Sequence, residues 1–138
     1  MYPAEKLYKY PHMLPADVEI WERFLDRHGT EFSGFDYDVH VGGSVERLDS
    51  WSDEYYRGFC TLAAKRIDAV GYKPGEVWLF EVKPEAGVTA VGQLVTYRDL
   101  YLAERGPVGV VVCCLVCENI LPDELGVMDR LGFKVFVV

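Results

Sequence analysis

The run KRIDAVGYKPGEVWLFEVK, residues 65–83, decides how this chain folds. Its centre, Lys73-Pro74-Gly75-Glu76, places Pro and then Gly at the two middle positions of a four-residue turn, the chemistry of a type II turn. The flanking segments 65–72 and 77–83 are rich in β-branched and aromatic residues, so they form an antiparallel hairpin. With Lys73 and Glu76 closing the turn, Tyr72 faces Val77, Val70 faces Leu79 and Asp68 faces Glu81. The two carboxylates then stand side by side on one face, their Cβ atoms about 5 Å apart. Side chains alternate along a strand, so Lys83 shares that face and Arg66 lies opposite it. Ile67, Ala69, Phe80 and Val82 go to the other face as core, extended by Trp78. Opposed like charges destabilise a strand pair unless a positive charge lies between them. Lys83 is one source of that charge. A divalent cation is another, because Mg²⁺ takes one or two carboxylates together with water and phosphate oxygens. The alternative is a solvated hairpin face of two acids and two bases in mutual ion pairs.

Downstream, Pro84 ends the second strand. Residues 89–105 read as a helix stopped by Gly106-Pro107. Gln93 and Tyr97 are four apart and share a helix face that continues to Leu100 and Glu104, so both reach toward the ends of Glu81 and Lys83. Residues 108–116 are almost wholly apolar and read as a strand buried on both faces, followed by a short helix over 122–131 and a last strand over 133–138. Upstream, residues 1–14 are aromatic and Pro-broken and read as an arm laid over the surface. Val18, Trp21, Phe24, Leu25 and His28 give helical spacing over 15–28, with Gly29 as the stop. Residues 35–41 alternate strictly and form a half-buried strand ended by Gly42-Gly43. Residues 44–63 carry the weakest pattern, a loop with a helical turn over 55–62. The two crossover helices make the last three strands parallel, and the hairpin makes the sheet mixed.

Arg66-Ile67-Asp68, then Glu81-Val82-Lys83, then Gln93 to Tyr97 in a Q-x-x-x-Y spacing, resembles the PD-(D/E)XK nuclease superfamily, and most closely the RecB-type nuclease domains and small phage nucleases. The likeness in motif covers about residues 64–105. Ile67 stands where the nominal Pro would be, as in many RecB-like members. The resemblance implies an α/β fold, a restriction-endonuclease-like αβββαβ core with a mixed central sheet flanked by helices, over one domain spanning 1–138. It also implies a deoxyribonuclease activity dependent on Mg²⁺ or Mn²⁺. Asp68, Glu81 and the Val82 backbone carbonyl would hold the ion. Lys83 would orient and help deprotonate the attacking water, and Gln93 and Tyr97 would position Lys83 or the phosphate. Arg66, Lys65 and Arg98 are candidate contacts to the DNA backbone. Many members place a further acid on the first helix; Glu19 and Glu22 are available, and Glu22, one turn from both Val18 and Leu25, is the preferred candidate.

Composition narrows the setting. The chain of 138 residues carries 14 Lys and Arg against 22 Asp and Glu, a net charge of −8, which argues against coating nucleic acid by bulk attraction. The imbalance sits in residues 1–56, with 12 acids and 5 bases, whereas residues 57–105 hold 6 acids and 7 bases. A nuclease of this composition calls for a homo-oligomer or a larger nucleic-acid-processing complex to supply more positive surface. The competing reading is a non-catalytic accessory or assembly module that keeps the fold for protein–protein contacts; the presence of Asp68, Glu81, Lys83 and Gln93 together favours the enzyme. No apolar run reaches the roughly 18 residues of a membrane span, and the start lacks a signal-peptide layout. Cys60, Cys113, Cys114 and Cys117 read as reduced thiols in a cytoplasmic protein, buried small hydrophobes rather than cluster ligands. Asp36, Asp38 and His40 read as the solvent face of the first strand.

Overall fold

The Pro74-Gly75 turn sets the register on which the sheet is built. The computed structural model describes residues 1–106 and 109–138. The chain runs α1 (Pro15–His28), a 3-10 turn (Gly29–Glu31), β1 (Gly34–Val41), α2 (Asp53–Ala63), β2 (Lys65–Lys73), β3 (Glu76–Ala86), α3 (Val88–Arg105), β4 (Val110–Ile120), α4 (Pro122–Arg130) and β5 (Lys134–Val137). Its five strands lie in chain order in one sheet. β1, β2 and β3 are antiparallel neighbours, and β3, β4 and β5 are parallel, so the sheet is mixed as the crossovers require. The expected strand start at Val108 and the Pro107 stop lie outside the described residues.

Tyr72 pairs with Val77 and Val70 with Leu79, the register set by the turn. Gly75 has φ +74°, and a Cβ there would meet no atom within 4 Å. A Gly75→Ala change therefore costs only the left-handed backbone conformation, about 1–2 kcal/mol, to be read as a lower urea midpoint with unchanged slope. A loss near zero would mean that the turn does not demand glycine. The turn also docks the start of β4. The Val110 N–H donates to the Gly75 carbonyl at 3.0 Å, and a Cβ on Gly109 would come within 2.5 Å of that oxygen.

Both faces of the sheet are covered. On one side α1 lays Ile20, Trp21 and Phe24 against Phe35, Ala69, Phe80, Val82 and Val116. On the other, α3 and α4 bring Leu94, Tyr97, Tyr101 and Met128 against Val70, Leu79 and Leu115. Cys113 and Cys117 belong to the second core and Cys114 to the first; all three are buried, and Cys60 is half-buried, with all four thiols free.

Three expectations need correcting. Ile67 packs in the α3-side core with Val41, not with Ala69 and Phe80. The simple alternation breaks beside it. Asp38 has φ +53°, and the β1–β2 ladder skips from Tyr37–Ala69 to Val39–Ile67 around Asp38 and Asp68. Pro84 does not end β3, which runs on to Ala86. Its missing N–H has the same parity as that of Val82, so it points to the side β2 has already left, and no ladder bond is lost. Residues 44–63 hold a full helix, α2, whose N-cap Ser52 accepts from the Tyr55 N–H at 3.0 Å.

Candidate active site

The β2–β3 ladder stops at Ala69–Phe80, and beyond it the two central strands part. Asp68 bridges the fork with its side chain: Oδ2 accepts the Val82 N–H at 2.8 Å, in place of a backbone carbonyl. Amide and carbonyl of one strand residue point to the same edge, so the Val82 carbonyl also opens into this fork. Glu81 enters from β3 and is 4% exposed, the one buried charged residue among the described residues. Its Oε2 is buried and has no hydrogen-bond partner.

The electrostatics follow from that burial. Desolvation pushes the Asp68 carboxyl up to about 6, against the Val82 N–H, which favours the ionised form; the Asp17 charge adds to the rise, and Lys83 opposes it. Desolvation followed by the Asp68 charge pushes Glu81 up to about 8, with Lys83 and the Tyr97 hydroxyl pulling the other way. The two acids titrate as a pair. Burial, then the Glu81 charge, raises the Tyr97 phenol well above its ordinary value. Tyr97 is buried, and Gln93, one turn earlier on α3, leaves its Oε1 buried without a partner.

Lys83, half-buried, acts electrostatically on Asp68, Glu81 and Asp17. The fork therefore gathers four of the sequence-derived residues, Asp68, Glu81, Lys83 and Tyr97, with Gln93 beside Tyr97. Lys65 and Arg66 join Gln93, Thr96 and Tyr97 in lining an open cleft of about 580 Å³ on the α3 side. Arg98 does not: it lines a separate groove of about 260 Å³ with Val95, Leu102 and Phe133. Glu22 does not reach the fork either. Its Oε2 accepts the Tyr10 hydroxyl at 3.1 Å, under the N-terminal arm.

The α1 acid that faces the fork is Asp17, which the sequence reading missed. Burial raises its pKa, and Lys83 opposes that rise. A usable signal existed, because Asp17 lies one turn before Trp21 and so on the core-facing side of the helix. Asp38 is likewise not a solvated strand residue. Its side chain, 14% exposed, accepts two hydrogen bonds from Arg66 at 2.8 and 3.0 Å, with His12 and His40 at 3.4 and 3.5 Å. Asp36 is held by the Tyr72 hydroxyl at 2.6 Å and the N-terminal amine at 3.3 Å. Among the described residues no three His, Cys, Asp or Glu side chains converge as a metal cluster. The donor set offered by the fork is two carboxylates and a backbone carbonyl, which suits an oxygen-loving cation that keeps its waters.

The fold is shared with solved structures of other proteins. A repair endonuclease from Pyrococcus abyssi matches it with a TM-score of 0.54 and 15% identity, over 97% of this chain and 49% of that one. The EndoMS–dsDNA2 complex matches with a TM-score of 0.52 and 15% identity, over 95% of this chain and 47% of that one. The chain spans about half the length of each, and the likeness is one of fold. No family model and no curated protein matches the sequence. No helix among the described residues is long and apolar enough to cross a membrane.

Proposed function

We propose that the chain is a Mg²⁺- or Mn²⁺-dependent nuclease of the RecB-like kind that hydrolyses DNA phosphodiester bonds. The observation that carries this reading is the Asp68–Glu81 pair, Asp68 half-buried and Glu81 buried, with Glu81 Oε2 left without a partner beside a single lysine. Such a pair is short of positive charge. Asp68, Glu81 and the Val82 carbonyl are the ligands for the ion, which when bound supplies Lewis-acid polarisation of the phosphodiester and acidifies water. Lys83 orients the attacking water, assists its deprotonation and offsets charge on the scissile phosphate. Tyr97 and Gln93 hold the Glu81 side of the site in place, and Lys65 contacts the DNA backbone from the cleft, whereas the Arg66 guanidinium is held by Asp38. The two solved endonucleases of the same fold, one bound to DNA, support DNA as the substrate class. The acidic N-terminal third favours action as a homodimer or within a larger complex, and the free thiols fit a reducing, cytoplasmic setting.

Isothermal calorimetry with MnCl₂ and a cleavage assay on single- and double-stranded oligonucleotides test the proposal together. The expected result is Mn²⁺ binding and divalent-dependent strand scission. A protein that binds no divalent ion and cuts neither substrate, with candidate partners added, is instead an accessory module.

A further inference from the structure

The two non-glycine residues with left-handed backbone among the described residues are His12, at φ +59°, and Asp38, at φ +53°. L-residues enter that region rarely, and strain of this kind gathers at working parts of a protein. Here both side chains meet on one guanidinium. Arg66 donates from Nε to Asp38 Oδ1 at 2.8 Å and from Nη2 to Asp38 Oδ2 at 3.0 Å, and Nη2 also donates to His12 Nε2. His40 Nε2, on β1, lies 3.5 Å from the same Oδ2. The group ties the N-terminal arm to β1 and β2. Among the described residues no other charged side chain forms an ion pair with any of the four.

These bonds fix the state of His12. A guanidinium has donors only, so the His12 nitrogen that meets it accepts, and the ring is neutral with its proton on Nδ1. Protonation turns that acceptor into a donor facing a donor and gives the ring a charge of the same sign as Arg66. It also turns His12 toward Asp38 Oδ2, 3.4 Å away, the oxygen that Arg66 Nη2 uses. His12 is 58% exposed, so protons reach it from solvent. Histidine is the side chain whose charge changes between pH 5 and 8, and a charged His40 draws on the same oxygen. Mild acid therefore loosens the Nη2 side of Arg66 while Nε keeps Oδ1. The loosened side chain lines the same cleft as Lys65, Gln93 and Tyr97.

We infer that His12, Asp38 and Arg66 form a proton-operated latch, in which the neutral arm keeps the Arg66 Nη2 donors engaged and the protonated arm frees them for a phosphate in the cleft. The inference rests on the nuclease reading for the identity of that phosphate. It gives the N-terminal arm control over how strongly the cleft holds its substrate.

Fluorescence anisotropy in EDTA, with a labelled 20-nucleotide oligodeoxynucleotide at pH 8 and pH 5.5, tests the latch without cleavage. Protonation of Asp68 and Glu81 strengthens binding in every variant alike, so the result is the difference between variants. His12→Gln keeps an acceptor of the same reach and cannot take up a proton. It should match the wild type at pH 8 and gain about three- to fivefold less affinity in acid, the size of an exposed charge contact. In an Arg66→Gln background the same change should make no difference. An acid gain equal in wild type and His12→Gln overturns the inference. So does a His12→Gln effect that persists without Arg66, which assigns it to bulk charge. Melting temperature at both pH values is the folding control. In the DNA-free wild type, the Arg66 guanidinium NMR signals should move as His12 titrates and stay fixed in His12→Gln. Fixed signals in the wild type, with divalent-dependent cleavage intact, overturn the latch and leave the nuclease reading standing. Moving signals in a wild type that neither binds a divalent ion nor cuts DNA support the latch and remove the nuclease reading.

Discussion

Lys83→Ala should leave Mn²⁺ affinity within about twofold of wild type and lower the cleavage rate by about 10²–10³, the usual cost of removing one electrostatic stabiliser of a transition state. The lysine cannot ligate a cation, so its loss belongs to the chemical step. Asp68 has a different share of the work, and the choice of substitution matters. Asp68→Ala would strand the Val82 N–H, which now donates to Oδ2 at 2.8 Å, at about 1–3 kcal/mol for an unsatisfied buried donor. Asp68→Asn keeps an acceptor there and removes only the charge. It should therefore lose both metal binding and rate without the destabilisation expected of Asp68→Ala, and above about pH 6 it should be the more stable for losing a desolvated charge. Calorimetry, oligonucleotide cleavage and urea denaturation on the same two variants separate the roles. If Lys83→Ala loses metal binding as severely as Asp68→Asn, the division of labour is wrong.

The metal-free protein should be most stable in mild acid and weaken as the solution turns basic. Asp68 and Glu81 have ordinary values of 3.8 and 4.5, and the fold pushes them up to about 6 and about 8. The folded chain thus binds more protons than the unfolded chain between about pH 4 and pH 8, and stability falls as pH rises through that window. Each unit of raised pKa costs about 1.4 kcal/mol once the group is ionised. Because the two titrate as a pair, their shifts do not simply add. Glu81→Gln keeps the shape and removes the charge that must otherwise be buried. In EDTA at pH 8.5 it should melt roughly 5–10 °C above the wild type, with the two converging near pH 4. Comparing variant with wild type cancels the other titrating groups. A pH-independent difference, or a Glu81→Gln protein less stable at pH 8.5, would show that the site does not hold like charges in low dielectric.

What was legible in the sequence was what depends on one local rule. Pro74-Gly75 sets the hairpin register as far as Ala69–Phe80; beyond it the strands part, and Asp68 meets Glu81 and the Val82 N–H through its side chain rather than as the expected ladder pair. The apolar run of β4 reads as a doubly covered strand because α1 and α3 do cover both its faces. The rest turned on features that periodicity does not carry. Asp38 adopts φ +53°, a conformation that an aspartate tolerates but no pattern marks, and it shifts Ile67 to the other core. α2 has apolar residues at helical spacing, Tyr55, Phe59 and Leu62, but buries none of them, so its start is marked by a cap, Ser52, rather than by a core-facing stripe. Glu22 and Asp17 are both helix acids; the choice between them needed Ile20 and Trp21, not Val18, as the centre of the buried face.

The carboxylate that ends the β2–β3 ladder has a mechanical consequence. A backbone carbonyl grips its amide with fixed strength, but the grip of Asp68 on the Val82 N–H depends on whether Asp68 is ionised. The fork is therefore a seam whose last stitch is electrically adjustable. Protonating Asp68 slackens it and ionising it draws the strands together. The Val82 amide, through its exchange rate and its proton chemical shift, gives the fold its own gauge of charge at the centre of the site.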